Sequence, residues 1–235
     1  KRALNNQGWL VDKTNSGWIN LKPSQKYKSH EMITAAMDES GNLKGKIQGS
    51  YKGYAGVNIR SRVSKAGSKE DFIKSIIDNY DGFSFDTFEI TNLDSILKPV
   101  KTLIEVNVTN QSIDAGNLVY FNPMMFDKVD ENPFKLKKRL YPVEYNYLED
   151  ETYMLNLTLP EGFTVEEIPE SIKVVFPDKG AAFTYQVRQI GTTLQVISQV
   201  KINKLIFLPE EYDLLKTFYQ AIADKHAEQI VLKKI

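Results

Sequence analysis

The chain has 235 residues, of which 42% are hydrophobic and 26% are charged, a composition typical of a globular protein rather than of a disordered segment or a coiled coil. Thirty basic residues balance thirty acidic ones, so the basic excess of a general nucleic-acid binder is missing and we expect no nucleic-acid partner. Cysteine is absent, which excludes a thiol nucleophile, a disulfide framework and a thiolate zinc site.

Residues 1–28 hold both tryptophans and predict a short hairpin. Its strands, "WLVDK" and "WINL", are joined through Asn15, Ser16 and Gly17. The segment starts without Met and without the apolar region of a signal peptide, so we expect it to be cut from a longer protein with any export signal upstream. No apolar run approaches the ~20 residues of a membrane helix, and no membrane span is expected.

Region 29–135 predicts a first β-rich half with one helix. The stretch "HEMITAAMDESGNLKGKIQGSYKGYAGVNIRSRV" predicts two or three strands, and the glycines that alternate with apolar residues from Leu43 to Tyr51 predict a face that another element approaches closely. Ser68 and Asp71 form a variant of the capping box ahead of "FIKSIIDNY", whose apolar spacing predicts a helix.

Region 136–235 predicts a second half with one helix, after the polar loop "MMFDKVDENPFKLKKR". Five evenly spaced segments alternate apolar and polar residues, as strands of a sandwich do. "PEEYDLLKTFYQAIADKHAEQ" predicts the helix, because Pro209 and two glutamates suit its start. We therefore predict a mainly β fold with antiparallel β-sandwich architecture, as one large or two smaller sandwiches, and two α-helices.

The two histidines give no support for a catalytic triad. His30 precedes a predicted strand, and His226 falls at the end of the second helix, where a protonated imidazole would complement the helix dipole. We expect a structural or solvent-exposed role for both. No fingerprint of a nucleophile elbow, a P-loop, a zinc protease or a dinucleotide fold is present.

Acidic loops offer oxygen ligands, but none at a diagnostic spacing. Two loops could supply calcium ligands, although the EF-hand spacing is missing and solvated surface loops are the favoured interpretation: Asp127, Asp130, Glu131 and Asn132, and Glu149, Asp150 and Glu151. The glutamates of "NLTLPEGFTVEEIPESI" are interpreted as a solvated connection between strands. A hydrolase with two carboxylates remains open and would need a deep cleft that holds two of them close together. We expect no cofactor and no metal site.

Aromatic residues are the remaining candidates for ligand contact. Flat rings stack on the apolar faces of sugars, and Trp9, Trp18 and Tyr54 are the three that we select. The favoured alternative is that alternating aromatic residues belong to the core, an alternative that also holds for Tyr51, Tyr141, Tyr145 and Tyr147.

Several motifs carry a resemblance to a known family: "NPFK…R…YPV", "TLPEGF…EE.P", "KINK..F.PEEY..LK.F" and the closing "EQIVLKK". On these, the C-terminal hundred residues resemble the β-rich domain of unknown function that follows a transglutaminase-like core in exported proteins of Gram-negative gut bacteria. Residues 1–65 are similar to the segment after that core, notably in "GWLVDK…GWINLKP" and "GYAGVNIR".

The resemblance implies a non-catalytic part of a larger protein. Its family has a papain-like core with a Cys/His/Asp triad, and the thiolate chemistry of such a core requires a cysteine that this chain lacks. No catalytic residue is therefore transferred, and residues 1–28 are expected to be the end of the core or the linker from it.

Two functions follow as expectations. The first is an accessory module that packs on the upstream core and shapes substrate access, in the periplasm or at the cell surface. The alternative is a glycan- or peptide-binding module of the cell envelope.

Overall fold

The computed structural model describes residues 7–235. These residues form sixteen strands, three α-helices and one short 3₁₀ helix. The prediction of a mainly β fold is therefore confirmed, whereas the prediction of two α-helices is wrong. Residues 1–6, the beginning of the predicted segment 1–28, lie outside the described residues.

The N-terminal hairpin is formed by β1 (Gln7–Leu10) and β2 (Gly17–Asn20), as predicted. Trp9 lies opposite Trp18 in the antiparallel register. The carboxylate of Asp12 closes the loop, because its Oδ1 accepts hydrogen bonds from the backbone N–H groups two and three residues further on, at 2.9 and 3.0 Å.

An eight-stranded sheet forms the body of the fold, in the order β12-β13-β14-β10-β3-β4-β6-β5. The sheet has seven neighbouring strand pairs, six of which are antiparallel and lie within one part of the chain. The strands are β3 (Tyr27–Met37), β4 (Leu43–Gly53), β5 (Phe83–Thr91), β6 (Val100–Val108), β10 (Glu149–Thr158), β12 (Ile172–Val175), β13 (Ala181–Ile190) and β14 (Thr193–Ile202).

The exception is the parallel pair of β3 and β10, which lies in the middle of the sheet. Its register runs from Tyr27 opposite Glu149 to Ala36 opposite Thr158. The predicted halves 29–135 and 136–235 therefore share one continuous sheet. The division of the chain into three parts stays a prediction.

Two smaller antiparallel sheets complete the β structure. One has the order β11-β16-β8-β7, and the other pairs β9 with β15. Their strands are β7 (Ser112–Ala115), β8 (Leu118–Phe121), β9 (Val143–Glu144), β11 (Phe163–Glu167), β15 (Ile206–Phe207) and β16 (Ile230–Lys234).

The helices are α1 (Tyr54–Ala66), α2 (Lys69–Ile77) and α3 (Tyr212–Ala227), and the 3₁₀ helix Pro209–Glu211 leads into α3. We predicted α2 and α3 but interpreted the sequence of α1 as a strand. Ala55 and Ile59 are buried one helical turn apart, so the spacing of the buried residues is that of a helix. The chain enters α1 through Gly53, whose φ is +59° and whose missing Cβ would lie 2.1 Å from the carbonyl oxygen of Lys26.

One apolar core joins the sheets and the helices. Alternating residues of β3 and β10, such as Ile33 and Leu155, point into it together with Phe72 of α2 and Phe218 of α3. Within residues 7–235, none of the helices combines the length and the apolar composition that crossing a membrane requires.

Candidate functional site

The structure places the three predicted ligand-contact residues in two different settings. Trp9 and Trp18 lie on the exposed hairpin, with 55% and 69% of their surfaces accessible. Their ring centroids are 5.4 Å apart and their planes are inclined at 82°, so each ring packs edge to face on the other. The pair presents a perpendicular arrangement rather than a flat platform.

Tyr54 begins α1 and belongs to a stack of tyrosines. Its ring lies 4.9 Å from that of Tyr147 at an interplanar angle of 16°, and Tyr147 in turn stacks on Tyr27 at 5.5 Å. All three rings are partly buried. The three rings belong to the first residue of β3, the first residue of α1 and the segment just before β10. The stack therefore lies where the two predicted halves meet.

A cleft that none of these aromatic predictions identified holds the most enclosed titratable side chains. The cleft has a volume of about 270 Å³, and its floor is the eight-stranded sheet near Glu31 and Tyr51. Helices α1 and α2 supply apolar walls, and Phe126 and Asp127 cover one end. A smaller cavity of about 110 Å³ continues toward α3 and shares Ser29, Glu31, Asp127 and Glu151 with the first.

Two carboxyl groups meet at the junction of these cavities. Glu31 and Asp127 are in hydrogen-bonding contact through their side chains, and the Tyr51 hydroxyl donates to Glu31 Oε1 at 2.6 Å. Burial raises the pKa of Glu31 well above its usual range, and the contact with Asp127 raises it further. Glu31 is therefore expected to keep its proton to a higher pH than an ordinary glutamate does and to donate it toward Asp127.

Glu149 and Glu151 of β10 extend the acidic group. Burial, and then the charge of Glu151, raises the pKa of Glu149 to about 7. Glu151 keeps contact with solvent, yet the surrounding protein atoms and the charge of Asp127 raise its pKa to about 6. Both side chains therefore change charge in the range of ordinary cellular pH.

Gly49 provides the space in which Tyr51 reaches Glu31. A Cβ at this glycine would lie 2.4 Å from Thr102 Oγ1 and 2.5 Å from the Tyr51 hydroxyl. The predicted approach of another element to the glycine face is confirmed by Thr102 of β6, whereas the phenol of Tyr51 belongs to the same strand as the glycine.

His226 of α3 lines the smaller cavity and is buried. It is 2% exposed, its Nδ1 accepts a hydrogen bond from the backbone N–H of Val129 at 3.1 Å, and its Nε2 lies 2.8 Å from Ser198 Oγ. Burial lowers the pKa of His226 to about 4. The expected protonated imidazole at the helix end is therefore wrong, because this helix end lies inside the fold. The other histidine, His30, is exposed on β3 and lines an open depression on the opposite face of the sheet.

The two acidic loops contribute only part of their predicted ligand sets. Asp127, Glu149 and Glu151 line the cavities, whereas Asp150 points to the opposite face and pairs with Lys28 at 3.5 Å. The remaining three residues contact other groups: Asp130 pairs with Lys128, Glu131 pairs with Lys135, and Asn132 donates to the carbonyl oxygen of Lys216. Among residues 7–235, no group of three or more histidine, cysteine or acidic side chains is arranged to hold a metal ion.

Sequence reasoning missed Glu31, although a signal for it exists. Glu31 shares the strand period of two with Ile33, Ala35 and Met37, all of which are buried. A charged residue in line with the core side of a strand is the pattern that could have identified it.

The arrangement supplies carboxyl groups that can donate as well as accept hydrogen bonds near neutral pH. Glu31 and Asp127 are in direct contact, so this pair does not have the separation of about 5–10 Å that the two carboxylates of a glycoside hydrolase need. The geometry suits proton sharing and the binding of polar or cationic groups.

Comparisons with known proteins found a family model that matches part of this chain. Residues 117–232 match the family described as Domain of Unknown Function DUF3858. The match supports our recognition of a domain of unknown function in the C-terminal part of the chain. It includes Asp127, Glu151 and His226 but not Glu31 or Tyr51, so the cleft lies across the edge of the matched region.

One solved structure is similar over part of the chain. It is a crystal structure of a protein of Parabacteroides distasonis ATCC 8503, provisionally described as a protease, with 18% identity and a TM-score of 0.42. The likeness covers 53% of this chain and 24% of that protein, so this chain matches only a minor part of its length. No curated protein sequence matches the chain significantly.

Proposed function

We propose that this chain is a non-catalytic accessory module of a larger protein with a transglutaminase-like or cysteine-peptidase-like core. The module packs on that core and shapes access to its cleft. The resemblance of the sequence supports this proposal, as does the match to a domain of unknown function. The absence of cysteine also supports it, because the thiolate of such an enzyme must come from outside this chain.

The observation that carries the proposal is the exposed hairpin. Its apolar side chains are largely accessible to solvent on both faces of the two-stranded unit, with Trp9 and Trp18 on one face, Leu10 and Ile19 on the other, and Val11 just after β1. A two-stranded hairpin is marginally stable in water by itself, and apolar surface exposed on both of its faces favours contact with another part of the protein. We infer that the hairpin is the surface by which the module contacts the core.

The test compares variants of the full-length protein that carries this module. Replacing Trp9 and Trp18 with serine is expected to lower the thermal midpoint of the core and to change its turnover of an amide substrate, because the buried contact is lost. Leu97→Ser is the control, since Leu97 is 95% exposed and lies far from the hairpin in sequence. The same stability and turnover in the tryptophan variant and the control would refute the role of the hairpin, and unchanged values after deletion of residues 29–235 would refute the accessory function.

The resemblance to exported proteins also leads us to propose a periplasmic or cell-surface location. A cysteine-free chain suits oxidising and reducing surroundings equally, so the resemblance is what supports this location. Fractionation of cells that express the full-length protein tests the location, and recovery of the protein in the cytoplasm alone would contradict it.

A second candidate, a peptide- or glycan-binding module of the cell envelope, is favoured by the cleft. Apolar walls beside carboxyl groups suit a peptide with apolar and basic side chains better than they suit a sugar. A binding screen with basic peptides, glycans and peptidoglycan fragments tests this function. Binding that weakens in Glu151→Gln but not in Glu161→Gln would support it, and a blank screen would remove it.

A further inference from the structure

The cleft is covered by residues 122–130, which we call the cleft loop, between β8 and β9. Three consecutive buried residues, Met124, Met125 and Phe126, hold its first part in the core. The Tyr153 hydroxyl also donates to the carbonyl oxygen of Pro123 at 2.6 Å. This part of the loop is therefore firmly fixed to the sheet.

Asp127 follows these contacts and is held differently. Its backbone is left-handed, with φ at +53°, and its side chain reaches back to Glu31 on β3. Tyr80 of the loop after α2 also contacts Asp127, since its hydroxyl accepts from the Asp127 backbone N–H at 3.4 Å and is in hydrogen-bonding contact with the Asp127 carboxyl group. The carboxyl contact with Glu31 therefore joins this end of the loop to β3 in the floor of the cleft, whereas Tyr80 joins it to the wall.

Two carboxyl groups in contact attract each other only while they share a proton. With one proton, one group donates to the other, whereas two ionised groups have no donor between them and repel. We propose that the proton shared by Glu31 and Asp127 keeps the cleft loop closed, and that the loop opens around Asp127 when both groups are ionised. This inference concerns the chain itself and does not depend on the proposed function.

The groups that face the pair determine the direction of this response. Glu149 and Glu151 of β10 add negative charge, which favours the protonated pair. Arg62 of α1 is the cation that lines the cleft, and it also lies 5.2 Å from the ring of Phe72. The remaining titratable groups that line the cavities are neutral between pH 5 and 9 by the nature of their side chains or by burial: Tyr27, Tyr51, Tyr80, Tyr153, Tyr219 and His226.

The far end of the loop is held by a contact that does not change over this range. Val129 donates its N–H to Nδ1 of His226, which requires a neutral imidazole. Burial keeps the pKa of His226 at about 4, so this contact is intact throughout pH 5 to 9. Lys128, between the two contacts, pairs with Asp130 at 3.2 Å. A change in loop protection over this range therefore reports on the carboxyl groups of the cleft, including Glu149 and Glu151, and variants of Glu31 and Asp127 separate the contribution of the pair.

The experiment is amide hydrogen exchange of the cleft loop from pH 5 to pH 9, corrected for the intrinsic pH dependence of exchange. In the wild-type chain, we expect protection of the Asp127 amide to fall at least about tenfold as Glu31 ionises, the change that one pKa unit of interaction between the two groups would give. The Val129 amide, which His226 holds, is expected to keep its protection. Glu31→Gln and Asp127→Asn keep one neutral donor in the contact, so their protection is expected to stay constant. Glu161→Gln, on an exposed turn, is the control that retains the wild-type response.

A second measurement follows the protons directly. Carboxyl carbon NMR of Glu31 is expected to give a titration midpoint well above that of an ordinary glutamate, and the midpoint is expected to fall in Asp127→Asn, which removes the negative charge. An ordinary midpoint for Glu31 would overturn the proposal. So would loop protection that is flat in the wild-type chain, or that falls equally in Glu31→Gln.

Discussion

His226 shows how the surroundings of one residue change its chemistry. Its ring packs against Phe183 and Tyr185, at centroid distances of 5.7 and 6.2 Å, and both ring nitrogens have hydrogen-bond partners. Protonation would place a charge in this apolar setting and would remove the acceptor that Val129 uses. The residue is therefore suited to the neutral form and acts as a support of the cleft loop.

The low pKa of His226 makes stability depend on acid pH. The unfolded chain binds a proton to this histidine with a pKa near 6.5, whereas the folded chain does so only at about 4. Stability is therefore lost as the pH falls from 6.5 toward 4, by roughly 2 to 3 kcal/mol at pH 4.5. We expect His226→Gln to show much less of this loss when urea unfolding is measured at pH 6.5 and pH 4.5.

The other histidine provides the control for this measurement. His30 is exposed, so His30→Gln is expected to retain the acid dependence of the wild-type chain. If His226→Gln and the wild-type chain lost equal stability between the two pH values, the neutral buried imidazole would not be the cause.

At the scale of elements, α2 could be predicted and α1 could not. The Ser68 side chain accepts from the backbone N–H of Asp71 at 3.0 Å, and the first turn carries two acidic residues, so the signals of a helix start are complete. Helix α1 has neither an acidic first turn nor a side-chain cap. Its sequence "VNIR" also alternates as a strand does, and tertiary contacts with β3 and β4 decide its conformation.

The cap of α2 can be measured. Ser68→Ala leaves the N–H of Asp71 without its partner and is expected to lower the free energy of unfolding by about 1 kcal/mol. Ser64→Ala is the matched control, since Ser64 is exposed inside α1 and alanine is the better helix former. Urea unfolding of both variants checks the prediction, which fails if Ser68→Ala is as stable as the control.

At the scale of the whole molecule, the periodicity of the sequence predicts which segments form strands but not which strands pair with each other. An alternating pattern identifies a strand and its buried side, whereas pairing between β3 and β10 depends on residues far apart in the chain. The same limit applies to the cleft. Asp127 and Glu151 stood out as acidic loop residues, but nothing local indicates that Glu31 meets them.

The shared sheet predicts that the C-terminal part does not fold alone. A fragment of residues 111–235 lacks β3, so β10 becomes an unpaired edge in the middle of the former sheet. We expect this fragment to lose cooperative thermal unfolding and to aggregate. A fragment of residues 22–235 removes only the hairpin and is expected to unfold cooperatively, and calorimetry distinguishes the two. Cooperative unfolding of the shorter fragment would show that the matched domain is autonomous.

The parallel pair also has a consequence for the order in which the molecule is made. Strand β3 leaves the ribosome roughly 110 residues before β10 begins, which at about 5–20 residues per second is a delay of roughly 5 to 20 seconds. During this interval β3 and β4 can pair, but the other side of β3 exposes free backbone groups beside an apolar face. The nascent chain is therefore most prone to aggregation, and most in need of a chaperone, before its second half has been translated.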